Sequence, residues 1–292
     1  MISWRSSTSS RWGSDALLLW GLRGMAVIST AIVLLIALFI ARESFPLLST
    51  VSPLRLFTDR SWNPLEGAYN LAPMFAGTVL VSVGAVLISA PLGIASAVFC
   101  HFYAPPLVAR GYRVIIELLA GIPSVVYGLW GLMVVVPLIG RIRPLGASVL
   151  AGILVLALMI LPTMVVVADA ALARVPREYL QGAAALGLSR WTTVREVALP
   201  AARRGLVTGA LLQTGRAVGE TMAVLMVCGN VVQVPARLTD PVRTLTANIA
   251  LEMAYAMGNH RAALFTSGLM LFLMIFVIVA CAELVGRERA DA

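Results

Sequence analysis

Six stretches of this chain are long and apolar enough to cross a lipid bilayer, and that limits what it can fold into: roughly Leu22 to Ala41, Pro73 to Phe102, Val114 to Ile139, Ser148 to Ala168, Leu206 to Cys228 and Ala262 to Val285. A hydrocarbon core of about 30 Å takes roughly 20 apolar residues to cross as a helix. No water reaches the backbone there, so an open sheet edge would leave N–H and C=O groups unsatisfied, whereas a helix pairs them within itself. Composition agrees, with 60% of residues hydrophobic and 12% charged, against roughly 25% charged in an average soluble domain. The expected fold is all-α, a polytopic membrane bundle of six transmembrane helices. A cytoplasmic N-terminal segment over 1–21 would precede one membrane domain over 22–292.

All 22 basic residues are arginine. A P-loop sets a lysine on nucleotide phosphates through GxxxxGK[ST], so a chain without lysine has no Walker-type ATP site of its own. The net charge of +8 is spread over short connections instead of gathered in one patch, which argues against nucleic acid and for topology signals. With both termini in the cytoplasm, thirteen arginines fall on that side, eight on the other and Arg216 inside the membrane, the bias that orientation calls for. Cys100, Cys228 and Cys281 show no CxxC spacing, and His101 and His260 lie in different connections. Neither a metal centre, a cofactor site nor a disulfide framework is expected from them. The polar, serine-rich run from Met1 to Asp15 has no A-x-A-like cleavage signal before the first apolar stretch, so that stretch is expected to remain as an anchor.

Within Leu206 to Val227 the only ionisable residues are Arg216 and Glu220. At about 1.5 Å per residue, Arg216 lies roughly 15 Å into the span, near the middle of the bilayer. Charge at that depth is costly and marks function by default. A spacing of four puts both side chains on one helical face, and Gln213 extends the face by a turn. Two readings stand side by side: a substrate site facing a wet cavity, or a pair that neutralises itself so that the helix can be inserted.

Three connections are long. Glu43 to Ala72, with Trp62-Asn63-Pro64, and Gly229 to Arg261, with Pro235 and Pro241, lie on the far side as irregular surfaces able to meet a soluble partner. The third, Asp169 to Arg204, is cytoplasmic, and its residues predict a helix over Glu178 to Leu186, a stop at Gly187 and a second helix capped by Ser189 and ending at Pro200. The order Gln181-Gly182-Ala183, three residues, Gly187, nine residues, Val197-Ala198-Leu199-Pro200 resembles the EAA-x3-G-x9-I-x-LP loop of bacterial ABC importer permeases. The resemblance implies a type I importer permease whose loop over 169–204 carries a coupling helix that docks on an ATPase subunit, through Glu178, Gln181, Gly182, Ala183, Gly187, Leu199 and Pro200. Gln181 replaces the family's glutamate, and Glu178, about one turn earlier, is placed to restore the charge.

Two further segments narrow the resemblance. Ile116 to Gly131 (IELLAGIPSVVYGLWG) and Gly215 to Val224 (GRAVGETMAV) look like the permease subunits of phosphate-specific ABC importers of the PstC type; in the sibling PstA type, Ala-Pro tends to follow GET. This implies a heterodimer with a PstA-type permease, two ATPase subunits below, a soluble phosphate-binding protein above, inorganic phosphate as cargo and a bacterial inner-membrane location. A guanidinium offers a fixed fork of donors to an oxyanion, so Arg216 would bind phosphate while Glu220 accepts the proton that phosphate, unlike sulfate, carries. Pro123 and Pro162 would loosen backbone and let Ser124 or Thr163 offer a hydroxyl. Gly205, Gly209, Gly215 and Gly219 read as close packing or as room beside Arg216, and Glu117 as a local ion pair with Arg113. The residues alone leave open another oxyanion such as sulfate or molybdate, or a carrier or channel driven by an ion gradient.

Overall fold

A computed structural model describes residues 11–287, with side chains over 18–280. The side chains of Arg11, Cys281 and Arg287, the whole of Arg289, and the first ten residues of the expected N-terminal segment, Arg5 among them, lie outside those limits. The elements in order are α1 (Arg11–Thr50), α2 (Arg55–Thr58), the hairpin β1 (Trp62–Asn63) and β2 (Ala68–Tyr69), α3 (Ala72–Val98), α4 (Pro106–Ala120), α5 (Ser124–Trp130) and α6 (Val136–Gly140). They continue with α7 (Val149–Ala173), α8 (Arg177–Ala185), α9 (Arg190–Thr193), α10 (Leu199–Gly219), α11 (Met222–Val227), α12 (Leu245–Glu252) and α13 (Gly258–Arg287).

Helix occupies all six apolar stretches, but not in the same way. Leu18–Thr50, Ala72–Tyr103, Val149–Ala173 and Gly258–Ala280 are each long and apolar enough to span a membrane. The third stretch is instead a pair, Pro106–Ala120 and Ser124–Gly140, meeting at 92°. Pro123 explains the break, since a proline lacks the N–H and disfavours helix in the residue before it. Tyr127 bridges the gap by donating its hydroxyl to the Leu119 carbonyl at 2.9 Å. The fifth stretch stops at Gly219 and resumes at Met222.

The centre is the pair α3 and α7. Hydrocarbon gives helices no hydrophobic reason to associate, so close van der Waals packing must hold them. Gly93 on α3 allows it: a Cβ there would sit 2.7 Å from the Met164 Cβ. Val81 and Ala85 of α3, and Val155, Leu156, Met159 and Ile160 of α7, fill the contact with Val224 and Val227 of α11. The first N–H groups of α7, which no helical turn can satisfy, are used well: Val149 N donates to the Asp240 carbonyl (3.0 Å), Leu150 N to that of Leu238 (2.7 Å) and Ala151 N to Ser148 Oγ (3.3 Å). By contrast α1 is peripheral, leaning on α13 through Phe39 against Phe265, with ring centroids 5.7 Å apart, and Glu43 against Arg261 at 3.5 Å.

The loop after α7 forms as the sequence predicts up to Ser189. α8 ends in a Schellman motif, with Leu188 N donating to the Ala183 carbonyl (3.1 Å) and Gly187 N to that of Ala184 (3.0 Å). Gly187 adopts φ +71° there, which a residue with a Cβ would resist. Ser189 Oγ accepts from Thr192 N at 3.2 Å. The second helix does not end at Pro200, however. It widens into a π-turn over Val194–Ala198 and continues as α10, because the wider turn absorbs the proline's missing donor and ring clash.

Candidate functional site

Arg216 stands in the last turn of α10 with its side chain exposed. Among the described residues it has no ion-pair or hydrogen-bonding partner, and Glu220 is not one. At Glu220 the backbone leaves the helix with ψ 131°, and the carboxylate turns to the residues that follow. Its Oε1 accepts instead from Ala223 N at 3.1 Å and caps the start of α11. Its carbonyl accepts the Thr246 hydroxyl at 2.7 Å. The self-neutralising pair is therefore not the arrangement adopted; the two residues mark the two sides of a break.

Gln213 is turned elsewhere. It is fully buried, and Ser89 Oγ donates to its Oε1 at 3.3 Å, while its Nε2 finds no partner. It thus belongs to the α3–α10 contact, not to the surface that carries Arg216. Ser124 opens α5 and is half-buried, without a bond to Arg216 or Glu220. Its helix nonetheless reaches the break: a Cβ on Gly128 would meet Ala223 Cα and Met226 Sδ of α11, each at 2.9 Å. Two interrupted helices, α4–α5 and α10–α11, therefore meet beside one unpaired guanidinium. Tyr127 sits in the IELLAGIPSVVYGLWG segment, and nothing in the local sequence signals its bridge to Leu119.

The four glycines of α10 divide in the same way. Gly205 and Gly209 face α7, where added Cβ atoms would run into Ala171 and Val167. Gly215 and Gly219 have nothing within 4 Å of an added Cβ, so the space beside Arg216 is open. Two clefts lie further along, at the α8 end: about 200 Å³ lined by Cys100, Arg113, Glu117 and Asp169, and about 500 Å³ lined by Arg174, Arg204 and Thr208. Arg113 in the first does not pair with Glu117. It forms a two-pronged bond to Asp169 at 2.9 and 3.0 Å, because the carboxylate on α7 meets both prongs of its fork.

On α8, Ala183 is buried and Glu178, Gln181 and Gly182 are exposed. Around them Leu186 is 80% and Trp191 60% exposed. Leu199 is half-buried at the root of α10 and Pro200 is exposed.

This bundle, with its exposed helix–turn–helix leading into an interrupted span, has the fold of the membrane subunits of ABC importers. It aligns with a structure of the bacterial alginate ABC transporter at a TM-score of 0.64, 16% identity, covering 94% of this chain and 96% of that one. It also aligns with an inward-facing structure of the MetNI methionine ABC transporter at 0.58, 21% identity, over 75% and 93%. The chain belongs to the binding-protein-dependent transport system inner membrane component family, whose model matches residues 89–289. Among curated relatives, it is 37% identical to the probable ABC transporter permease protein YqgH of Bacillus subtilis over 282 residues, 91% of each. It is 34% identical to the phosphate transport system permease protein PstC of Mesorhizobium japonicum over 303 residues, 96% of this chain and 92% of that one. It is thus a multi-pass inner-membrane component of a binding-protein-dependent transporter.

Proposed function

We propose that the chain is the PstC-type permease subunit of an importer that moves inorganic phosphate into the cytoplasm. Residues 22–292 form its transmembrane domain and both termini face the cytoplasm. It works as a heterodimer with a PstA-type permease, beneath a soluble phosphate-binding protein and above two ATPase subunits that carry out the hydrolysis.

The observation that carries this reading is the unpaired Arg216 at a helix break inside a bundle related along nearly its whole length to a phosphate permease. A guanidinium at mid-depth without a protein carboxylate needs an anion or water, and its donor fork matches the oxygens of phosphate. The open space beside Gly215 and Gly219 leaves room for one. Glu220, whose Oε1 already caps α11, keeps a second oxygen free to accept the proton of a hydrogen phosphate and repels an anion without one. Ser124, at the neighbouring break, supplies a hydroxyl in a later state of the cycle, while Gln213 holds α10 on α3. At the other end the exposed Glu178, Gln181, Gly182, Leu186 and Trp191 surface suits docking of the ATPase, with Ala183, Gly187, Leu199 and Pro200 shaping the turn. The motion it receives passes through the Gly187 turn to α9, runs from there into α10 without an intervening loop, and tilts Arg216 alternately towards the two sides.

The test is uptake of labelled phosphate by the reconstituted complex, with sulfate as competitor, in wild type and Arg216→Gln. Wild type should take up phosphate in an ATP-dependent manner that sulfate leaves unaffected. Arg216→Gln should lose about tenfold or more, the scale of a hydrogen bond to a charged group. Normal uptake by a correctly assembled variant would rule out the direct role.

A further inference from the structure

At the end of the bundle away from α8, one buried carboxylate joins three separate parts of the chain. Glu252, at the end of α12, is 8% exposed. Its Oε2 accepts from Trp62 Nε1 of the β1–β2 hairpin at 2.9 Å and lies 2.8 Å from His260 Nε2, in the first turn of α13. Its Oε1 accepts from Arg243 at 2.7 Å, and Arg243 also donates to Asn248 Oδ1 and to the Asn230 carbonyl, each at 3.0 Å. Burying a charged carboxylate is costly unless it is paired, and both oxygens of Glu252 are paired here, which fixes the groups that meet on it in one arrangement. The hairpin on the far side of Trp62 is itself braced: Asp59 accepts from Tyr69 N at 2.9 Å and pairs with Arg55 at 3.0 Å. Its tip presents Leu65, 92% exposed, to the surroundings.

α12 leads from this network back to the break. Its first turn is held by Thr244 Oγ1, which accepts from Ala247 N at 3.2 Å, and by Leu245 N donating to Thr78 of α3 at 3.0 Å. Between them Thr246 donates to the carbonyl of Glu220, four residues after Arg216. A helix of eight residues, about 12 Å long, thus has the hairpin and α13 fastened to one end and the Glu220 corner to the other.

We propose that Glu252 is a positioning residue: through α12 it makes the setting of the Glu220 corner, and with it Arg216, depend on where the Trp62 hairpin sits. The occupant of the hairpin side is the soluble binding protein, and that part rests on the transport reading above. When the binding protein bears on the hairpin, the load reaches the corner through Glu252 and Thr246.

Two variants in the assembled complex test this. Trp62→Phe keeps the ring and removes one donor, and Glu252→Gln keeps the shape and removes the charge. The first readout is hydrogen exchange over Glu220–Leu225, which includes the Ala223 amide held by Glu220 and does not depend on what is transported. It should quicken about threefold or more in each, and the double variant should exchange no faster than Glu252→Gln alone. The second is ATP hydrolysis, where the increment caused by phosphate-loaded binding protein should fall severalfold while the basal rate stays within about twofold. Unchanged exchange in Trp62→Phe would overturn the proposal, because Thr78 and Thr244 alone would then be holding α12. Faster exchange with a normal binding-protein increment would overturn the link to transport. If Glu252→Gln fails to assemble, Trp62→Phe decides alone. If wild type takes up no phosphate, the transport reading fails while the exchange experiment still decides the positioning role.

Discussion

α7 and α10 are neighbours of similar length, 25 and 21 residues, with opposite relations to their surroundings. α7 runs unbroken through Pro162 and is packed by α3, α10 and α11 around most of its circumference, with Leu156, Met159, Ile160 and Met164 almost wholly inaccessible and a narrow stripe at Leu154, Leu158 and Val166 left exposed. α10 buries one face, at Leu206, Gly209, Gln213 and Ala217, and leaves Arg204, Thr208, Leu212 and Arg216 exposed in a line along the other. A helix packed around most of its circumference can move only if its neighbours move with it. A helix held along one face, broken at one end and continuous with a surface loop at the other can tilt alone. The difference separates a frame from a working part, and it rests on where glycine and charge fall: α7 is long and apolar enough to cross a bilayer by itself, whereas α10 carries Arg203, Arg204 and Arg216.

The largest effect should come from breaking the frame. In Gly93→Leu the new Cβ would fall 2.7 Å from Met164 Cβ and 3.3 Å from Val165 N, backbone that cannot shift without moving α7. Overpacking of this kind costs about 1–3 kcal/mol and often more. The variant should yield little monodisperse complex by size-exclusion chromatography in detergent. Normal recovery would mean that α3 and α7 can separate, and the distinction between frame and working part would fail.

An intermediate effect belongs to Glu220, where α10 ends. Glu220→Ala removes the acceptor for Ala223 N and should lower thermal stability of the complex by the equivalent of about 1 kcal/mol, as for a lost helix cap. Glu220→Gln keeps an acceptor oxygen, so its stability should stay within about 0.5 kcal/mol of wild type. Uptake then separates the roles. If Glu220 reads the proton on phosphate, Glu220→Gln should lose discrimination between phosphate and sulfate although its stability is kept. If it serves only as a cap, selectivity should follow stability through both variants.

How much of this could be read in the sequence depends on how far apart the interacting residues lie. The spans, the Schellman turn at Gly187 and the cap at Ser189 follow from lengths and from contacts within five residues, and they were legible. The break at Glu220 was not. Arg216 to Val224 contains nothing that stops a helix decisively, and the extended backbone at Glu220 is held by Thr246, 26 residues on. Arg113 shows the same limit: the carboxylate four residues away loses to Asp169, 56 residues away. α12 and the Glu252 network were hidden in a connection that read as irregular surface, because their partners, Trp62 and Thr78, are on other segments. The mid-membrane arginine was found because its cost is local; the company it keeps was decided by the tertiary fold.

The smallest effect is also the sharpest test of the contrast. Gly205 and Gly215 are ten residues apart on α10 and identical as sequence, but a Cβ on Gly205 would strike Ala171 of α7, whereas on Gly215 it would meet nothing within 4 Å. Gly215→Ala should therefore leave stability unchanged or raise it by up to about 1 kcal/mol through helix propensity. Gly205→Ala should lower it, since α10 would have to lift from the frame to admit the methyl. Thermal unfolding of the complex monitored by tryptophan fluorescence would rank the two. A destabilised Gly215→Ala would mean that this face of α10 is packed in the assembly more tightly than an anion beside Arg216 allows.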